Sequence, residues 1–413
     1  MAIVRPFRAF RPAPKYAKQV ASRPYDVLDS AEARKEAAGN PLSFLHVGKP
    51  EIDLPPEINS YDESVYKKGM KNLQRLIADG VLRRDEQPSL YLYSQTMGDH
   101  TQHGIVGCVS VQEYVDGTIK KHELTRPDKE DDRTKHILAT HAQTGPILMA
   151  YQASRILDTI IDATLSTSPE YDFVAEDGIR HQLRVIDQAN TIRNVEQAFT
   201  AIKHLYIADG HHRSAAGVRA AHALAAASHS HTGTEEYNFF LAVLFPHNQL
   251  KIMDYNRVVK DLNGRNLEEF LRELKTDFDV EHATSQVRPA KKGEFGMYVK
   301  SAWYKLTANP QQLSATDPVE RLDVSVLQKH VLAPLLGIKD QRTDKRIDFV
   351  GGIRGLGELE KRVDSGEMAV AFSLYPTSIE ELFAIADAGK IMPPKSTWFE
   401  PKLRDGVVIH LLS

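Results

Sequence analysis

Leu205-Tyr206-Ile207-Ala208-Asp209-Gly210-His211-His212-Arg213-Ser214-Ala215-Ala216 runs from bulky apolar residues through an acidic, glycine-marked, basic corner into an alanine-rich segment. The short apolar run predicts a buried strand over Leu205 to Ala208, and the density of good helix formers predicts a helix over Ser214 to Ala227. A tight turn joins them. At such a corner several backbone N–H groups and the positive end of a helix dipole point at one place, which suits an anion. His211, His212 and Arg213 add hydrogen-bond donors and positive charge where a phosphate would sit. The plainer alternative has Asp209 capping the helix, the histidines partly buried and Arg213 paired with a carboxylate. Three such residues in succession would each need a separate explanation of that kind, so the corner points to phosphate chemistry.

The rest of the chain sets the bounds. With 413 residues, 42% hydrophobic and 26% charged, it has an ordinary globular composition and length enough for two domains. A net charge of -3 offers no global field for nucleic acid, so a small-molecule substrate is the expected partner and nucleic acid is not. The single Cys108 has no disulfide partner and sits in an apolar run, which fits a reducing compartment. No apolar stretch has the length to cross a bilayer, so no membrane partner is expected. Arg5, Arg8, Arg11, Lys15, Lys18 and Arg23 precede the first acid, Asp26, but Pro6, Pro12 and Pro14 would break the amphipathic helix of a transit peptide. A cytoplasmic protein is expected, and a homo-oligomer stays open.

Along the chain, strands, hairpins and helices mix without a regular alternation, a mixed α+β pattern. Ser43 to Val47 reads as a short strand and Glu63 to Gly80 as an amphipathic helix. Leu90 to Thr96 and Gly104 to Tyr114 read as a hairpin whose tip carries His100 and His103, a solvated turn rather than a metal site. Thr118 to Leu124 predicts a strand ending in His122-Glu123, and Pro127 with its acidic neighbours opens a helix. Ile147 to Tyr151 is a further strand. The texture changes near 246, which divides the chain into 1–246, with a phosphate-binding core at about 118–227, and a C-terminal α/β domain, 247–413. The glycines at 351, 352, 355 and 357 lack dinucleotide-binding order, and no phosphate-loop motif occurs. Near the end, Met392-Pro393-Pro394-Lys395-Ser396-Thr397-Trp398-Phe399-Glu400-Pro401-Lys402, with two lysines, reads equally as a loop that clamps phosphate or as a proline-stiffened plug.

The corner resembles the DGHHR motif of free-serine kinases in the ParB/sulfiredoxin-like superfamily. It is still more similar to a large prokaryotic family, catalogued as a domain of unknown function, that carries the string ADGHHR. The order of parts agrees: Lys121-His122-Glu123, a helix, Gly145-Pro146-Ile147-Leu148, then Asp209 to Arg213. The resemblance implies a ParB/sulfiredoxin-like core with insertions and a small-molecule kinase that transfers phosphate from ATP or ADP, with Mg2+, to a hydroxyl amino acid such as free L-serine. Under it Glu123 is the catalytic base, and His122, Asp209 and His212 are catalytic with it. Gly210, His211, His212, Arg213, Lys395, Ser396 and Thr397 bind phosphate or nucleotide. Asp209 is also a candidate Mg2+ ligand, and Arg133, Lys129 and Asp26 are candidates for the substrate. The residues leave open a ParB-like nucleotide switch without transferase activity and a phosphate-ester hydrolase.

Overall fold

A computed structural model describes residues 2–412, which form an α+β structure in two compact units. The first unit runs through Leu250 and is rejoined by the chain from Pro401 onward, and the second is Lys251–Glu400. The expected C-terminal domain, 247–413, thus loses its final segment to the first unit. The reason is local: Lys251 pairs with Glu400, Ile252 with Phe399 and Met253 with Trp398, so an antiparallel ladder brackets the second unit where the chain enters and leaves it.

The first unit is built on a nine-stranded mixed sheet. Its strands are β1 (Val4–Arg5), β2 (Leu90–Met97), β3 (His100–Ser110), β4 (Ile119–Lys120), β5 (Ile147–Tyr151), β6 (Tyr171–Val174), β7 (Arg180–Ile186), β8 (Leu205–Asp209) and β9 (Phe239–Pro246). They lie in the order β4-β8-β5-β9-β3-β2-β7-β6, with β1 on β3. The sheet therefore extends well outside 118–227, through β2, β3 and β9. Its helices include α1 (Glu63–Ala78), α2 (Pro127–Thr140), α3 (Arg155–Leu165), α4 (Ala189–Thr200) and α5 (His211–Ala227). Met149, Tyr151, Leu157, Val195, Phe199, Leu205, Ile207 and Phe240 meet in one core, all buried. Continuous apolar runs on β5, β8 and β9 match strands covered on both faces.

The second unit has its own six-stranded sheet: β10 (Tyr255–Val259), β11 (Phe278–Ala283), β12 (Glu294–Val299), β13 (Ala302–Ala308), β14 (Ile347–Gly351) and β15 (Val370–Leu374), ordered β11-β13-β12-β15-β10-β14. Val258, Trp303, Val350, Leu359 and Ala371 form a core there.

Several local expectations change. Ser43 to Val47 is not a strand; Leu45–Gly48 is a helical turn with Leu45 and Val47 buried, because a five-residue apolar run carries no period long enough to separate the two states. The predicted strand from Thr118 to Leu124 pairs only at Ile119–Lys120. His100 and His103 lie within β3 rather than at its tip, with His103 Nδ1 2.8 Å from Ser94 Oγ, and the turn is Gly98-Asp99. Among the described residues no helix is long and apolar enough to cross a membrane.

The returning C-terminal segment is tied in by buried polar groups. Gln95, fully buried, donates from Nε2 to the Lys402 carbonyl at 2.8 Å and accepts from Gln102 Nε2 at 3.0 Å. Ser22 and Asp405 exchange both backbone hydrogen bonds. Gln95→Ala strands two buried partners, so it should lower the unfolding free energy in urea by about 2–4 kcal/mol; a change under roughly 0.5 would mean that the segment is held by other contacts.

Candidate functional site

Parallel pairing of Leu205 with Ile119 and Tyr206 with Lys120 sends two strands in the same direction at the edge of the sheet. Continuing that register brings 122 and 123 level with 208 and 209, at the carboxyl ends where α/β ligand sites form. The β8–β5 register shifts between Ile207 and Asp209, which bends the strand as it ends. Gly210 then turns at φ 101°, a conformation in which an L side chain is strained, and α5 starts at once at His211 with no side-chain cap. The leading N–H groups of a helix lie beyond the reach of their own helix's carbonyls, so the start of α5 favours a negative group.

His122 and His211 are both buried, and their rings meet edge-to-face at 4.4 Å between centroids. Burial pushes the His122 imidazole down to about 4, with Asp209 opposing the shift. Burial and then the facing His122 hold His211 well below the usual range, again against Asp209. Both rings are therefore neutral at pH 7. For His211 this corrects the expectation that its imidazole brings positive charge: two cations side by side out of water would be too costly.

The charge comes from other groups. Lys402 Nζ stands 2.9 Å from Asp209 Oδ2. Burial by itself would raise the Asp209 carboxyl, but Lys402 and Arg213 outweigh it and hold the group well below the usual carboxylate range. The Arg213 guanidinium, only 10% exposed, donates to the Pro146 carbonyl and reaches Asp26 at 3.1 Å. Burial disfavours its charge, but Asp26, Asp209 and Asp405 keep it firmly ionised. Glu123 is half-exposed, with Oε2 3.8 Å from His211 Nδ1. His212 accepts at Nε2 from the Arg126 N–H at 3.0 Å, which joins the start of α2 to the start of α5.

The other expected residues have partners of their own. Arg133 pairs with its neighbour Asp132 at 2.7 Å and lies 4.1 Å above the Tyr25 ring. Lys129 donates to the Tyr61 hydroxyl at 2.9 Å. Lys395, Ser396 and Thr397 belong to the second unit: the Lys395 carbonyl accepts from buried Arg257, Ser396 Oγ donates to the Pro393 carbonyl, and Thr377 Oγ1 donates to the Ser396 carbonyl. The lysine at the corner is Lys402, the second lysine of the 392–402 stretch, rather than Lys395. Asp209 does not fit a resident Mg2+, since the ammonium and guanidinium it already neutralises would repel a dication. Among the described residues no three His, Cys, Asp or Glu side chains group as a metal cage.

The sequence model of a family described as protein of unknown function, DUF1015, matches residues 4–325. The chain belongs to this family. Lys402 and Asp405 lie beyond the residues that the DUF1015 model matches. No curated protein shows significant sequence similarity to the chain. Among solved structures, the chain is similar to a free serine kinase variant in complex with AMP, at 13% identity and a TM-score of 0.38, covering 74% of this chain and 91% of that one. A conserved hypothetical protein from Pyrococcus furiosus matches at 15% identity and 0.36, covering 74% and 95%. SbnI with a C-terminal truncation, from Staphylococcus aureus, matches at 13% and 0.37, covering 73% and 85%. At these values the function of this DUF1015 member has to be read from its own side chains.

His122 gives a test of the electrostatics. Its folded-state value lies below the ordinary 6.5, so the unfolded chain binds the extra proton and stability is lost as pH falls from about 6.5 toward 4. His122→Gln removes that linkage. The stability gap between wild type and variant should therefore shrink by about 2 kcal/mol between pH 7 and pH 5 in chemical denaturation; a constant gap would contradict a neutral His122.

Proposed function

We propose that the corner is a phosphotransfer site on a ParB/sulfiredoxin-like core, where ATP or ADP gives a phosphoryl group to the hydroxyl of a small acceptor such as free L-serine. The observation that carries this reading is the Glu123 carboxylate 3.8 Å from His211, at the uncapped start of a helix flanked by Lys402 and Arg213. Phosphoryl transfer asks mainly for alignment and charge stabilisation, and these groups supply both.

In this mechanism Glu123 accepts the proton from the acceptor hydroxyl as the new O–P bond forms and the bond to the leaving nucleotide breaks. The products are the phosphorylated acceptor, ADP or AMP, and a proton on Glu123. Lys402, Arg213 and the leading N–H groups of α5 meet the charge on the transferred phosphoryl oxygens. Neutral His211 contributes an N–H without needing a proton from solution. Any Mg2+ arrives on the nucleotide's own phosphates, and His212 braces the helix junction through Arg126.

The purified chain should convert L-serine with ATP or ADP to phosphoserine, and Glu123→Gln should lower kcat by about 10²- to 10⁴-fold while nucleotide affinity by calorimetry is retained. No product with either nucleotide across a panel of hydroxyl acceptors, or an unaffected variant, would overturn the proposal. Nucleotide binding without acceptor-dependent turnover would mark a switch, and phosphate release without an acceptor a hydrolase.

A further inference from the structure

Arg213 also borders a cavity of about 30 Å³ whose walls include Tyr25, Gly48, Arg133, Gly145 and Asp405. A void of that size admits water or a small charged group. Asp405 is only 4% exposed, and its Oδ1 has no hydrogen-bond partner among the described residues. The buried Nε of Arg213 has none either. An acceptor and a donor left unpaired in the walls of one polar void call for a group that supplies both partners.

Gly145 packs directly against the Asp405 carboxylate. A Cβ placed on Gly145 would stand 2.6 Å from Asp405 Oδ1. Neither nearby cation neutralises Asp405 through a direct ion pair: Arg133 is committed to Asp132, and Arg213 to Asp26 and the Pro146 carbonyl. Burial pushes the Asp405 carboxyl up to about 7, with Arg213 opposing the shift and Asp26 adding to it.

We propose that this cavity recognises the charged end of a zwitterionic acceptor, with the ligand's ammonium group seated on Asp405 and its carboxylate on Arg213 and Arg133. Arg213 would then serve both the acceptor and the phosphate corner, which places the acceptor's hydroxyl beside Glu123. The inference rests on the phosphotransfer reading for that hydroxyl, but its recognition chemistry is separable from turnover.

Calorimetry on the full chain without nucleotide tests it with three probes: L-serine, which carries both charged ends; ethanolamine, which lacks the carboxylate; and glycerate, which lacks the amine. L-serine should bind, both single-ended probes should bind at least roughly tenfold more weakly, and Asp405→Asn should bring L-serine down to the level of glycerate. If that variant does not fold, Gly145→Ala, whose Cβ would press on Asp405 Oδ1 without changing charge, should produce the same loss. Glycerate binding as tightly as L-serine, L-serine binding unchanged in the folded variant, or no binding of any probe, leaving water as the occupant, would each overturn the assignment. Intact L-serine binding with no nucleotide turnover would remove only the phosphotransfer reading.

Discussion

The parallel pairing of Ile119–Lys120 with Leu205–Tyr206 is the constraint on which the site depends. Only four residues take part, yet they fix the direction in which 121–126 leaves the sheet, and so place His122 and Glu123 beside the start of α5. Antiparallel pairing at the same place would send that segment to the opposite edge. Everything chemical at the corner follows from two strands ending together, with Gly210 allowing the helix to begin immediately after the second.

Electrostatics then divides the cluster into neutral and charged parts. The buried imidazoles face each other and shed their protons, so the corner can bury two histidines without burying two cations. Its positive charge is carried by Lys402 and Arg213, which between them hold Asp209 ionised. Lys402 faces Asp209 and Arg213 faces Asp26, so the helix N-terminus supplies the further positive potential that an anion would meet. Lys402 is delivered by the chain's return to the first unit, and Gln95 fixes its backbone from within the sheet. A lysine on a flexible tail would pair with Asp209 only part of the time; here the backbone is set before the side chain extends.

Much of this organisation is legible in the residues. The apolar run Ile147–Tyr151 reads as a strand and is one, and the Ala-rich segment after Arg213 reads as a helix because its residues favour that state wherever they pack. The order of His122-Glu123, helix, strand and corner is local information and survives into the structure. That Lys402 rather than Lys395 reaches Asp209 is not legible, since the contact spans 193 residues and depends on where an intervening unit returns the chain. Asp405 is equally silent in sequence, because its burial comes from packing against residues distant in the chain such as Gly48 and Gly145. The charge state of His122 and His211 also depends on burial, which a string of residue types does not display. Lys395, Ser396 and Thr397 drew attention through composition; the Lys395 carbonyl accepts from Arg257, and Ser396 bonds with Pro393 and Thr377, all within the second unit.

The central claim is that the start of α5, with Lys402 and Arg213, holds the phosphate of a nucleotide while Glu123 faces the acceptor. The most direct measurement is a crystal structure of the full chain with ADP. The account predicts the terminal phosphate within hydrogen-bond distance of the backbone at His211 to Arg213 and of Lys402 Nζ, with Glu123 on its open side. A nucleotide bound with its phosphates elsewhere, and Lys402 still closed on Asp209 over an empty corner, would contradict it.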